Sequence, residues 1–353
     1  MVSNRSRTRG CPAAWVIAVL CPMSILACCC DSKPDKPQLR VFVADSLFRP
    51  FNALGKAFEK THPVELVQIP SGSVLAARKI RENSDQADVL AVADCFVIDK
   101  LLRPQFADWY VCFATNEIGI VYTDASKGAA ELTTSKWWEI LGREGVRVAA
   151  ANPYHDPCGY WTELCWKLAD RHYPPEQGGG RIADRMRTQC GEGADRRSDS
   201  EQLLQLVEAA GGVDYAFVYR SQALQHNLAF HRLPPEINLG DVSRVDLYHQ
   251  VEIEWPARAG STGFKKQGDL ICYAITVPRN ARRPDLGIAY IEFLLTAEGR
   301  SLIAAQHLNA LDHPWTSDPD RVPGSIRSSV IALDTPAAIV PATTSAPGEH
   351  HAR

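Results

Sequence analysis

The chain has 353 residues, 45% of them hydrophobic and 22% charged, with a formal net charge of −3. That length buries a large core and suggests about two domains. The charge balance, with no basic stripe beyond the N-terminus, gives no support for a nucleic-acid partner.

The N-terminus is expected to be a targeting segment. Arg5, Arg7 and Arg9 precede an apolar run from Ala13 to Ala27. That run is too short for a stable membrane span and ends on a small residue, as a secretory signal does. Ile25-Leu26-Ala27-Cys28 has the form of a bacterial lipobox, with Asp31 to Gln38 as a polar tether. Cys28 would then carry lipid and hold the protein at a membrane surface. A plain signal peptide with incidental cysteines is the alternative. Beyond the signal, Cys95, Cys112, Cys158, Cys165, Cys190 and Cys272 are scattered with no CxxC pair. Neither a zinc site nor a disulfide scaffold is indicated, although one or two bridges are compatible with an oxidising compartment.

From Leu39 onward strands and helices alternate. "LRVFVAD" (39–45) reads as a strand, and Phe48, Phe51, Leu54 and Phe58 mark one face of the helix after it. "VELVQIP" (64–70) is a second strand, and "SGS" (71–73) opens a helix running through Arg81. "ADVLAVAD" (87–94) is an apolar strand buried on both faces. Short loops between such elements imply a parallel α/β sheet. "WYVCFATNEIGIVYTD" (109–124) is long for one strand and is expected to cross between two lobes.

"VRVAAANP" (146–153) is another strand, followed by "YHDPCGY" and a helix with Tyr160, Leu164 and Leu168 on one face. The polar, Gly-rich stretch 173–200 reads as a loop or insertion. Ser198 and Glu201 form a capping box for the helix ended by Gly211 and Gly212. "VDYAFVYRS" (213–221) and "DLICYAITVPRNA" (269–281) are strands, the second expected to return to the first lobe. Residues 284–306 read as one long amphipathic helix, and the Pro-, Ala-, Thr- and Ser-rich tail after Asp334 as disordered.

Three strand-to-helix turns, "ADSL", "SGSV" and "YHDPCGY", place Ser, Asp or Gly at helix starts. Helix starts carry unpaired N–H groups and partial positive charge, so converging starts make an anion pocket at the carboxyl ends of the strands. Asp45, Ser46 and Ser73 are also ordinary helix caps, so it is the set of turns that points to an anion. Asp156-Pro157 is a good helix start in its own right. A nucleophilic Cys158 would need His155 as base and a third group to hold it. A zinc site on His155, Asp156 and Cys158 is geometrically awkward on one tight turn.

Taken in order, "VFVADSLFRPFNALGKAFEKTHP", "SGSVLAARKI", "ADVLAVADCFVIDKL", "ADWYVCFATNEIGIVYTD", "NPYHDPCGYW" and "DYAFVYRSQALQHNL" resemble the tungstate- and molybdate-binding proteins of ABC transporters. The similarity is to the tungstate-type branch and runs from about Leu39 to Leu311. It implies a type II periplasmic-binding-protein fold: α/β, two lobes, each with a mostly parallel sheet flanked by helices. The expected division is 1–38 signal and tether, 39–115 first lobe, 116–265 second lobe, 266–315 return to the first lobe, and 316–353 a C-terminal extension.

The implied function is capture of tungstate or molybdate in the interlobe cleft and delivery to a membrane permease driven by an ATPase. No catalysis and no cofactor are implied. By the resemblance, Ser46 and Ser73 hydrogen-bond the oxyanion, Ala93 offers its backbone N–H, and Tyr219 donates from the second lobe. Asp156 corresponds to an aspartate that reaches the metal itself. Hard, highly charged metal centres take carboxylate oxygen, and two carboxylates would complete six-coordination and exclude sulfate and phosphate. The branch has a glutamate before the tyrosine; here Val218 stands there, as in tetrahedral molybdate binders. Coordination number therefore stays open. The other readings are a receptor for sulfate or phosphate, a diverged non-binder, and a cysteine hydrolase using Cys158.

Overall fold

The computed structural model describes residues 36–132, 136–177, 180–191, 196, 199–257 and 263–333. The signal, lipobox and Cys28, the capping residue Ser198 and the tail after 333 lie outside the described residues. Thirteen strands run in chain order among the described residues: β1 Gln38–Val43, β2 Glu65–Pro70, β3 Val89–Val92, β4 Val111–Thr115, β5 Ile118–Tyr122, β6 Val148–Ala149, β7 Tyr215–Tyr219, β8 Ala229–Arg232, β9 Glu252–Trp255, β10 Phe264–Gln267, β11 Cys272–Thr276, β12 Asn309–Thr316 and β13 Ile331–Ala332. The α-helices are α1 Phe48–Thr61, α2 Ser73–Arg81, α3 Trp137–Leu141, α4 Pro157–His172, α5 Ile182–Cys190, α6 Ser200–Glu208, α7 Arg220–Gln225, α8 Val245–Tyr248, α9 Pro284–Leu295, α10 Ala297–Ala304 and α11 Gly324–Arg327.

The strands form a seven-stranded sheet ordered β13-β12-β4-β11-β3-β1-β2 and a four-stranded sheet ordered β6-β7-β5-β8, with β9 and β10 as a separate pair. Phe51, Leu54 and Phe58 of α1 are buried, and Phe58 packs edge-on against Tyr290 of α9. β3 and β4 are buried at every position, as strands covered on both faces must be. In the second lobe Trp137 of α3 and Trp166 of α4 meet Phe217 of β7 edge-on.

The chain passes between the sheets at 115–118, between β4 and β5, so the long strand read at 109–124 is two strands in two lobes. It returns through 268–271 into β11. This return explains a correction to the sheet type. β2, β1 and β3 are parallel, but β11 runs antiparallel to both β3 and β4, and β12 is antiparallel to β4 while parallel to β13. In the second sheet β6–β7 is parallel while β5 is antiparallel to β7 and β8. Both sheets are mixed because segments arriving from the other lobe enter against the original strand direction.

Three local expectations also change. The stretch 173–200 contains α5, whose Ile182, Ala183 and Met186 are buried. The helix read over 284–306 is two, because Thr296 takes an extended conformation, ends α9, and caps α10 by accepting the Gly299 N–H at 3.1 Å. α6 is capped by Asp199, whose carboxylate accepts the Gln202 N–H at 2.8 Å.

Candidate functional site

The site lies where the strand ends of the two lobes face each other. From the first lobe, β1 runs into a short 3-10 turn (Asp45–Leu47) that buries Ser46. Ser46 Oγ accepts from Tyr273 Oη of β11 at 3.0 Å. Asn116, at the crossing from β4 to β5, donates through Nδ2 to Tyr273 Oη at 3.1 Å and to Ser221 Oγ of α7 at 2.8 Å. A polar chain therefore joins the turn after β1 to the start of α7 through buried side chains. Burial strengthens such bonds and makes each unpaired member costly.

Ser73 opens α2 and is fully buried, and its Oγ accepts the Ala93 N–H at 3.0 Å. Gly72, just before it, lies against the second lobe: a Cβ there would stand 2.3 Å from the His155 carbonyl oxygen. Glycine is required because two backbones meet. The Val74 N–H donates to that same carbonyl at 3.2 Å.

Asp156 is the buried N-cap of α4. Its Oδ1 accepts the Cys158 N–H at 2.9 Å, and its Oδ2 accepts the Ser200 N–H at the start of α6, also at 2.9 Å. Burial pushes its pKa up while the Cys158 and Ser200 N–H bonds pull it down. Tyr219 ends β7, fully buried, with its ring 5.8 Å from that of Tyr273. Its hydroxyl is buried and meets no hydrogen-bond partner among the described residues. Burial, followed by the neighbouring Tyr273, Cys158 and Asp156, raises its pKa, so it stands as a neutral donor.

The structure thus brings Ser46, Ser73, Ala93, Asp156 and Tyr219 into one region spanning both lobes. Val218 is different. It is buried in β7 opposite Gly119, and strand alternation turns its side chain to the face away from Tyr219. A side chain at 218 therefore leaves β7 on the face opposite Tyr219. The acidic groups that bear on this region are Asp45 of the first lobe, on which Asp156, Asp199 and Glu201 act, and Asp199 beside Asp156. The Asp45 pKa rises to about 8, through burial first and then the charges of Asp156, Asp199 and Glu201. Its Oδ2 is buried without a hydrogen-bond partner among the described residues.

The cysteine reading does not fit this geometry. Cys158 is fully buried, its thiol donates to the Phe217 carbonyl at 3.6 Å, and burial pushes its pKa well up. A nucleophilic cysteine needs the opposite shift. Sequence reasoning passed over Tyr273 and Asn116. Tyr273 is hidden in an apolar strand run, although the polar "NE" break within 109–124 marked the crossing where Asn116 sits.

Two α/β lobes joined by crossing segments, with neutral donors from both meeting at a cleft, define a two-lobed solute-binding protein. A family model described as bacterial extracellular solute-binding protein matches residues 39–309, and the chain belongs to that family. The family is one of transport solute-binding proteins, not enzymes, and its location is extracytoplasmic. An uncharacterised solute-binding protein of Methanoculleus marisnigri is 38% identical over 288 residues, covering 76% of this chain and 80% of the relative. The molybdate/tungstate-binding protein WtpA of Thermococcus kodakarensis is 36% identical over 330 residues, covering 87% and 92%. The fold is shared with the periplasmic molybdate-binding protein of Azotobacter vinelandii (TM-score 0.53, 16% identity, 76% of this chain and 98% of that one). It is also shared with the sulfate-binding protein SubI of Mycobacterium tuberculosis (TM-score 0.56, 14% identity, 78% and 88%).

Proposed function

We propose that this protein captures tungstate or molybdate between its lobes and hands the anion to an ABC permease and its ATPase, held at the membrane by lipid on Cys28. The observation that carries the reading is the Tyr219 hydroxyl, buried in the cleft with no partner among the described residues. A buried donor left unpaired costs about 1–3 kcal/mol, and an oxyanion oxygen would satisfy it. Ser46 and Ser73 supply further neutral donors; the Ala93 N–H is donated to Ser73 Oγ, so it holds that hydroxyl in place and does not itself reach the anion. Neutral donors bind a fully ionised oxyanion by number and geometry, without a counter-charge.

Asp156 is the proposed inner ligand. Each of its oxygens accepts one backbone N–H, and each keeps a second lone pair. The Thermococcus relative, named for the same two anions, supports the choice of anion. Equilibrium dialysis against equimolar tungstate, molybdate, sulfate and phosphate, followed by elemental analysis, tests it. Retention of tungsten or molybdenum is expected; retention of sulfur or phosphorus instead would overturn the choice of anion.

A further inference from the structure

Asp94 directly follows Ala93 and is buried at 1% exposure. Its Oδ1 accepts the Phe96 N–H at 2.9 Å, which fixes the carboxylate on the first lobe. Its Oδ2 turns to the second lobe, where Tyr160 Oη of α4 donates at 2.7 Å and Lys266 Nζ of β10 lies at 3.2 Å. Lys266 belongs to the β9–β10 pair, which packs on α4; Phe264 of that pair meets the Tyr160 ring at 5.7 Å.

The Lys266 side chain is 7% exposed, and its ammonium is enclosed by rings, with Trp161 at 4.4 Å and Phe96 at 4.9 Å from its nitrogen. Rings of both lobes therefore hold the cation by their negative faces while Asp94 takes its charge. The nearby Asp269 is engaged elsewhere, by the Leu270 N–H at 2.7 Å and by His249 at 3.6 Å.

A buried pair of this kind stabilises little against a hydrophobic core of the same shape, but breaking it leaves an unpaired buried charge. Here the two charges sit on different lobes. Separating the lobes must either pull them apart or admit water between them. The pair therefore bears on opening and closing more than on the stability of either lobe.

We propose that Asp94, Tyr160 and Lys266 form a latch that holds the lobes together over a bound solute, with Lys266 a positioning residue that slows solute release through Asp94. The latch also fixes Ala93, whose N–H it keeps directed at Ser73 Oγ. It rests on the reading of the cleft as a solute site, but it predicts lobe motion that is measurable without any solute.

The test uses the full chain with sodium tungstate in stopped-flow fluorescence, since the Trp161 ring lies under the ammonium. Solution X-ray scattering of the solute-free protein is the second arm. Lys266→Met keeps most of the apolar stem and removes the charge. It is expected to raise the tungstate dissociation rate at least tenfold, to leave association within about threefold, and to enlarge the solute-free radius of gyration. Lys266→Met combined with Asp94→Asn is expected to be no worse than Lys266→Met alone, because both act through one contact. Tyr160→Phe keeps both charges and is expected to raise dissociation more modestly, which covers the case in which Lys266→Met folds poorly. Dissociation within twofold of the parent in both single variants, with unchanged scattering, would overturn the latch. If the parent binds no tungstate, the oxyanion reading fails. The latch is then decided by scattering alone: expansion in Lys266→Met supports it, and no change refutes it.

Discussion

Asp156 and Ser200 are 44 residues apart in sequence, yet the Asp156 carboxylate accepts the Ser200 N–H at 2.9 Å while also capping its own helix through the Cys158 N–H. One buried side chain thus ties together the starts of α4 and α6, and two helix N-termini supply the positive potential beside it.

That double cap gives Asp156 a structural and a binding role. Asp156→Ala removes two charge-assisted bonds, and each cap lost costs about 1 kcal/mol of stability. The thermal midpoint should fall by several degrees and oxyanion binding should weaken at least tenfold. Cys158→Ser should bind within about threefold of the parent, because the buried thiol turns to the Phe217 carbonyl. The reverse order in calorimetric titrations would bring the cysteine back into contention.

Tyr219→Phe separates binding from folding. The hydroxyl has no partner among the described residues, so its loss should leave the melting temperature within about a degree or two. A hydrogen bond to a charged group contributes about 1.5–3 kcal/mol, so oxyanion affinity should drop roughly 10- to 100-fold. Unchanged affinity would remove Tyr219 from the site.

Asp45 gives the cleft a pH dependence. Its folded pKa of about 8 lies above its ordinary value near 3.8, so the folded protein holds a proton that the unfolded chain releases. The stability from that proton is complete below about pH 4 and is lost as pH rises toward 8. Above that pH a new carboxylate stands beside Asp156, and anion binding should weaken. Lys79 opposes the shift but is the smallest of the contributions to it. Titrations at pH 6.5 and pH 9 should show this loss in the parent and little of it in Asp45→Asn. A flat profile in the parent would contradict it.

Gly72 tests the approach of the lobes. A methyl group there meets the His155 carbonyl carbon at 2.9 Å and its oxygen at 2.3 Å, and backbone on neither side yields cheaply. Gly72→Ala should open the cleft in solution scattering and weaken oxyanion binding severalfold, with each lobe still folded by far-UV circular dichroism.

Much of this was legible in the sequence because local rules and the fold agree. The apolar run of β3 read correctly as buried on both faces, and the passage between lobes at 115–118 was visible as a strand too long for one sheet. The break at Thr296 was not, because apolar periodicity continues smoothly across it and a single extended residue decides it. The antiparallel entry of β11 was hidden because its direction depends on the path through the other lobe. The turn carrying Asp156 announced itself through capping chemistry, whereas Ser46 and Ser73 cap nothing: Leu47 and Gly72 stand at the N-cap positions of α1 and α2 and make no side-chain cap bond. Tyr273, Asn116, Asp94 and Lys266 did not announce themselves, because their pairings join residues from 66 to 227 positions apart or span the two lobes.

Calorimetric titration with tungstate, molybdate, sulfate and phosphate in turn addresses the central claim most directly. The arrangement of neutral donors around Asp156 predicts one anion bound per chain, with tungstate or molybdate held at least a hundredfold more tightly than sulfate or phosphate. Tighter binding of sulfate or phosphate, or heat from none of the four, would contradict it.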